Sequence, residues 1–307
     1  MAIGRVSDII NLTEAGIDEV FNREVSRPRK LEYKNICREV SGDKKIYKHQ
    51  SIGNLGPAVT KPEGDTITYR KIEEAYETTI EATTKSNGAA ATLEQLEYDL
   101  EGVVSAIFGA PLVDTMIVKK EKEVAAVYNN AFTATGPDGV AWIANAHPLV
   151  NNNLLTNDNL LTGEMSTTTI QTGKNMFNFI YDQAGEFMDT APTHLLIHPN
   201  KLFLALQLLN SQLMALELSN TKNVLQDVAP IKIVTNRWLT YNTSTDVSPW
   251  FLLDKTLNAG AVLYQTIPMA MNKHFEWEDL TYKGEVYEAY GCSLVAPGYG
   301  ICGSQGS

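Results

Sequence analysis

Two histidines four residues apart, His194 and His198, have the spacing with which a helix presents a pair of metal ligands. Their neighbours argue against that use. Leu195, Leu196 and Ile197 between them, with Pro192 and Pro199 outside, spell a buried strand, on which residues four apart stand roughly 13 Å from each other, too far to share one zinc ion. His147, ahead of Pro148, reads as a turn residue. Cys37, Cys292 and Cys302 lack C-x-x-C spacing, and an odd number cannot pair fully within one chain, so free buried thiols are expected. Ser293 lies in no Gly-x-Ser-x-Gly elbow, and no phosphate-cradling glycine string follows a predicted strand. The acidic pairs Glu73/Glu74 and Glu278/Asp279 are sequence neighbours, which a strand would turn to opposite faces, so they read as surface charge. Asn151, Asn152, Asn153, Asn157 and Asn159 read as polar loop chemistry. No catalytic residue, cofactor or metal is expected.

The elements that would position these residues form an α+β series without clean βαβ order. Residues 7–24 have imperfect helical spacing around Gly16, giving a short helix within an extended arm. From Lys44 to Ser86 the texture is strand-like: KIYKHQSI, a turn-rich stretch holding Gly53, Gly56, Pro57, Lys61, Pro62, Glu63 and Gly64, then TITYRKI and ETTIEATTK. This predicts a long hairpin with alternation at Thr66 to Tyr69. It is too polar to stand alone, so it must lie on something, and a neighbouring subunit is the natural candidate. Thr92 caps a helix at TLEQLEYDLEG; Gly109, Ala110 and Pro111 interrupt it; a second helix follows from Leu112 to Phe132, carrying the charged block KKEKE at Lys119 to Glu123. That block is expected either in solvent or against another subunit. Residues 166–188 read as helix, THLLIHP as strand, the run opened by Pro199 as helix, IKIVTNRWL and WFLLD as strands, and the tail from Asn272 to Ala296 as strand-rich.

At 307 residues and 44% hydrophobic, the chain can bury a real core. No apolar run approaches the ~18 residues that span a bilayer, and the first residues lack a secretory-signal pattern, so a soluble, cytoplasmically folded protein without membrane contact is expected. The net charge of −11 is unevenly spread. Residues 21–50 carry nine basic residues, among them Arg23, Arg27, Arg29 and Lys30, against four acids, a net of +5; residues 63–101 carry ten acids against three bases, a net of −7. Such runs are ordinarily solvated faces. The alternative is that the basic arm docks on an acidic surface of another copy, where complementary charge fixes register. An acidic chain lacks the broad basic stripe of a nucleic-acid reader.

Several segments, in order, resemble the tailed-bacteriophage major capsid protein family, with its HK-ninety-seven-type fold, and especially its Mu-like head-subunit branch. The strongest are PDGVAWIANAHPLVNNN from Pro137 to Asn153 and APTHLLIHPNKLFLALQLLNS from Ala191 to Ser211. PEGDTITY at Pro62 to Tyr69 is similar to the family's extended loop, LEYDLEGVV and EKEVAAVYNNAF to its spine helix and the approach to it, and NTKNVLQD and WFLLD to parts of its axial domain.

The resemblance implies an N-terminal arm over 1–43, an extended hairpin loop over 44–90, a peripheral domain with the spine helix over 91–160, an axial domain over 161–265 and peripheral strands over 266–307. It implies a head protein that assembles as hexamers and pentamers into an icosahedral shell around double-stranded DNA, located in the virion and assembled in the host cytoplasm. Inter-subunit contact candidates are Arg23, Arg27, Arg29, Lys30, Gly53, Pro57, Lys61, Pro62, Glu63, Lys222, Asn223 and Asp227, the last three on a loop near the capsomer axis. Some members join a hairpin lysine to a neighbour's asparagine; Lys61 is the matching lysine, with no motif for its partner. With no long coiled-coil-like segment ahead of the arm, a separate scaffolding protein is expected, with a portal, and a decoration protein is left open. An encapsulin-like compartment shell is the nearest alternative, and an enzyme with an unrecognised site the alternative from another class.

Overall fold

The computed structural model describes residues 18–52, 58–69, 74–98, 108–150, 154–210, 225, 231–257 and 260–306. Two sheets organise it. The first orders its strands β1 (Cys37–Ser41), β11 (Gly260–Glu276), β12 (Thr281–Val295) and β4 (Thr83–Thr92). The long β11–β12 hairpin is its spine, and β1 runs parallel to β11, with Cys37 opposite Ala261. The β11–β12 register shifts on either side of Ile267, beside Pro268, which cannot donate to a ladder. The second sheet orders β7 (Leu160–Leu161), β13 (Ile301–Ser304), β10 (Trp250–Leu253), β8 (His194–Ile197) and β9 (Lys232–Thr235). All four residues of β10 are buried, the unbroken apolar run of a strand covered on both faces.

Helices cover these sheets. Residues 18–26 form α1 and Leu93–Glu97 form α2, whose Thr92 cap exchanges hydrogen bonds with Gln95 in a capping box. Helix α3 (Ala110–Asn129) starts at a Gly109 cap with Pro111 in its first turn, where the missing amide would have had no partner. Val113, Met116, Lys120, Val124 and Tyr128, three or four apart, form its buried stripe against β12 and β4. Helix α4 (Thr167–Phe177), capped by Ser166, lies by the second sheet, where Gly173 sits so close to Leu252 and Leu161 that an added Cβ would meet them at 2.7 and 2.9 Å. Helix α5 (Leu202–Asn210) follows a 3₁₀ turn that Pro199 opens.

One core, from Tyr33 and Ile36 through Val124, Tyr128, Phe251 and Leu263 to Ile301, joins α3 to both sheets. A second fills the space between the five-stranded sheet, α4 and α5.

Three expectations are corrected. Residues 66–69 are exposed and form no strand; the strand returning to β2 (Ile46–Ile52) is β3 (Glu74–Glu81), because Ile80 has a core to enter and Thr66 to Tyr69 do not. The helix predicted over 166–188 stops at Phe177: Asp182 accepts from the amides of Ala184 and Glu186, making a tight turn closed by a Tyr181–Phe187 bridge. The charged block is neither solvent-facing nor free for another subunit throughout, since Lys120 and Glu121 are buried within the chain. Strand β13 sits in the five-stranded sheet, apart from β11 and β12.

Candidate assembly surfaces

The basic arm is largely clamped to its own chain. Glu24, buried, accepts from Arg27 at 3.4 Å and from Arg29 at 3.2 Å, with Arg23 at 3.9 Å; Arg29 also reaches Asp114 on α3 at 2.9 Å. Lys30 is exposed. Further along, the Glu121 carboxylate takes the backbone amides of Glu32 and Tyr33 at 2.7 and 2.9 Å, while Glu32 takes the amide of Arg237 at 2.9 Å and its guanidinium at 3.3 Å. The chain entering β1 is therefore tied by carboxylates to α3 and to the segment after β9. Burial holds Glu121 above the usual carboxylate range, against the pull of those two amides.

The hairpin has a fixed root and an uncovered end. At the root, Tyr47 stacks on Tyr264 with centroids 5.1 Å apart, Ile80 packs with Val262 and Val295, and Tyr299 bonds Ser51 at 3.2 Å. Lys45 pairs with Glu81 and Lys48 with Glu77, both at 2.7 Å, so part of the charge contrast read from sequence is cancelled across the ribbon itself. Residues 58–69 are all exposed, Lys61, Pro62 and Glu63 among them, with Val59 at 63%, Ile67 at 64% and Tyr69 at 89%. Gly53 and Pro57, and likewise Lys222, Asn223 and Asp227, lie outside the described residues.

Beneath these surfaces are buried polar groups. His147 is buried, not a turn residue: Nδ1 lies 2.5 Å from Asp138 Oδ2, and Nε2 lies 3.1 Å from Asn159 Oδ1. Asn159 also takes the amide of Ala144 at 2.8 Å and donates to Trp142 O at 2.9 Å. Asn157 bonds Tyr181 through both its amide ends. These asparagines are 1% exposed or less, so the reading of 157 and 159 as ordinary loop residues is corrected. The Asp138 and His147 side chains are 2% exposed or less, which closes them to any substrate; the cluster fixes the chain between α3 and β7. On the other side of α3, Lys120 Nζ lies 2.6 Å from Glu288, whose side chain is fully buried on β12, and 5.0 Å from the Tyr290 ring centroid.

The remaining chemical candidates separate. His194 bonds Thr193 and His198 stacks on Tyr241 at 4.7 Å, so the two histidines take different partners. The three cysteines are free, and burial pushes Cys37 up to about 12 and the other two thiols well up. Among the described residues no His, Cys, Asp and Glu group could hold a metal, and no helix is long and apolar enough to cross a membrane.

The described fold is thus two sheets, a long helix and a two-stranded ribbon anchored at its root. Residues 75–297 match the family described as phage capsid protein, and the chain belongs to that family. It is similar in fold to the capsid of cyanophage P-SCSP1u (TM-score 0.59, 13% identity, covering 91% of this chain and 88% of that one). It is similar also to the mature capsid of bacteriophage PhiM1 (0.59, 9% identity, 91% and 88%) and to the head of Helicobacter pylori bacteriophage KHP40 (0.55, 11% identity, 91% and 92%). No curated protein matches. The protein is structural, not an enzyme.

Proposed function

We propose that this chain is the major head subunit of a tailed phage of the Mu-like branch, assembling as hexamers and pentamers into an icosahedral shell around double-stranded DNA. The observation that carries this reading is the family match over residues 75–297. In it, α3 is the spine helix, the four-stranded sheet belongs to the peripheral domain, and the five-stranded sheet with α4 and α5 belongs to the axial domain. The uncovered segment 58–69 supports the assignment of the hairpin as an inter-subunit loop, because its exposed Val59, Ile67 and Tyr69 are covered most simply by another copy. Closed symmetry then adds modest contacts into a durable wall. Other head-assembly proteins, a portal among them, are its partners, and the assembled shell resides in the virion.

Negative-stain imaging of the expressed chain tests this: shells, tubes or sheets of capsomers are expected, and a monodisperse monomer at high concentration would overturn it. Shells that co-purify with an enzyme cargo rather than nucleic acid would move the assignment to a compartment protein.

A further inference from the structure

Between β1 and the turn from β10 to β11 lies a cleft of about 250 Å³, with Cys37, Arg38, Tyr128, Asp254, Lys255 and Gly260 on its walls. Its charge is unbalanced. Asp254 is the acid on its wall, and that carboxylate is already used: Oδ1 takes the amide and hydroxyl of Thr256 at 2.9 and 2.6 Å, and Oδ2 takes the amide of Ala191 at 3.1 Å. Arg38 Nε is buried and makes no hydrogen bond, a costly state for a guanidinium donor. Lys255, an exposed residue on the cleft wall, is pushed below its usual range first by burial of its ammonium; Cys37 acts against that shift and the charge of Lys232 adds to it. Two cations thus face a cavity whose own acid is spent, which is the chemistry of a carboxylate receptor.

The chain also carries two carboxylates that have no cationic partner among the described residues. In the exposed segment 58–69, Glu63 and Asp65 flank Gly64, whose φ of 86° and the Asp65 amide bonded to Pro62 O at 3.3 Å make a narrow turn with both acids at its tip. Nothing lies within 4 Å of the position a Gly64 Cβ would take.

The geometry points to the Arg38–Lys255 cleft as the seat for the Glu63–Asp65 turn of a neighbouring copy. This rests on the shell reading above and names the contact that reading leaves open. One guanidinium and one ammonium meet two carboxylates, and the Val59, Ile67 and Tyr69 side chains beside the turn are covered by the same docking.

A fluorescently labelled peptide of residues 58–69, titrated against the full chain held unassembled at low concentration, tests the contact apart from shell formation. Binding at least tenfold weaker is expected for a peptide with Glu63→Gln and Asp65→Gln, and equally for the wild-type peptide on the Arg38→Gln/Lys255→Gln chain. Equal binding of both peptides, or none of either, would overturn the proposal. In shells, Lys255→Glu and Asp65→Lys should each block assembly and together restore it; a double variant no better than the singles would likewise refute it. Peptide binding by a chain that never forms shells would overturn the shell reading and leave this contact standing; intact shells with no charge dependence would do the reverse.

Discussion

Lys120 and Glu288 meet 2.6 Å apart beneath α3, with side chains 9% and 0% exposed. The Glu288 oxygens make no well-directed hydrogen bond, so the link is chiefly Coulombic, and Lys85 stands opposite Glu288 on β4. Removing one partner of such a pair strands a buried charge, at about 3–5 kcal/mol, whereas replacing both by apolar residues is often neutral. Lys120→Met and Glu288→Met should each lower subunit stability by that order, and the double variant should recover most of the loss. Urea denaturation of unassembled subunit measures it; additive losses would show that the pair does not act as a unit.

Acid should help rather than harm this part of the fold. Burial raises Glu121 above the ordinary 4.5 in the folded chain, so the folded state binds its proton more tightly than the unfolded one. Its contribution is fully present below 4.5 and is lost as pH rises through the raised folded value. The urea midpoint of the wild-type subunit should therefore fall with rising pH across that window. Glu121→Gln should flatten the slope, and an unchanged slope would contradict this account of Glu121.

The His147 cluster carries a different cost. His147→Ala leaves Asp138 Oδ2 without its ring partner in a buried site, a penalty of about 1–3 kcal/mol. Gly298→Ala should be comparably harmful, because φ there is +80° and the new Cβ would meet His147 Cβ at 2.7 Å. Thermal unfolding of both variants should show clear losses, while Asn130→Ala on the exposed end of α3 serves as a mild control.

The arm divides into holding and reaching parts. Arg29 is 16% exposed and bridges Glu24 to Asp114, so Arg29→Gln should lower the subunit's own stability modestly. Arg27 and Lys30 are exposed, and exposed pairs contribute about 0–1 kcal/mol and weaken with salt. Arg27→Gln with Lys30→Gln should slow shell formation at low salt and leave thermal unfolding nearly unchanged. Normal assembly with loss of packaged DNA would instead make the arm a nucleic-acid contact.

Elements were legible where local chemistry decides them. Thr92 with Gln95, Pro111 in a first turn, and the apolar runs of β8 and β10 announce themselves in any context. The alternation at Thr66 to Tyr69 looked like strand because propensity is blind to whether a core exists to receive it, and the helix read through to Met188 missed the turn that Asp182 makes. Burial of charge was the least readable. Nothing near Lys120 in sequence reveals Glu288, and the partners of His147 and Glu121 arrive from other elements.

Strand β13 lies between β7 and β10, and β1 completes its ladder with residues more than two hundred positions later in the chain, as Cys37 pairs with Ala261. During synthesis neither sheet can therefore close until nearly all of the chain has left the ribosome. Pairings so distant in sequence are slow to form and lock in together. A chain stalled midway would display neither the cleft, which needs both β1 and β11, nor the hairpin root, where Ile80 and Tyr47 pack on Val262, Tyr264 and Val295.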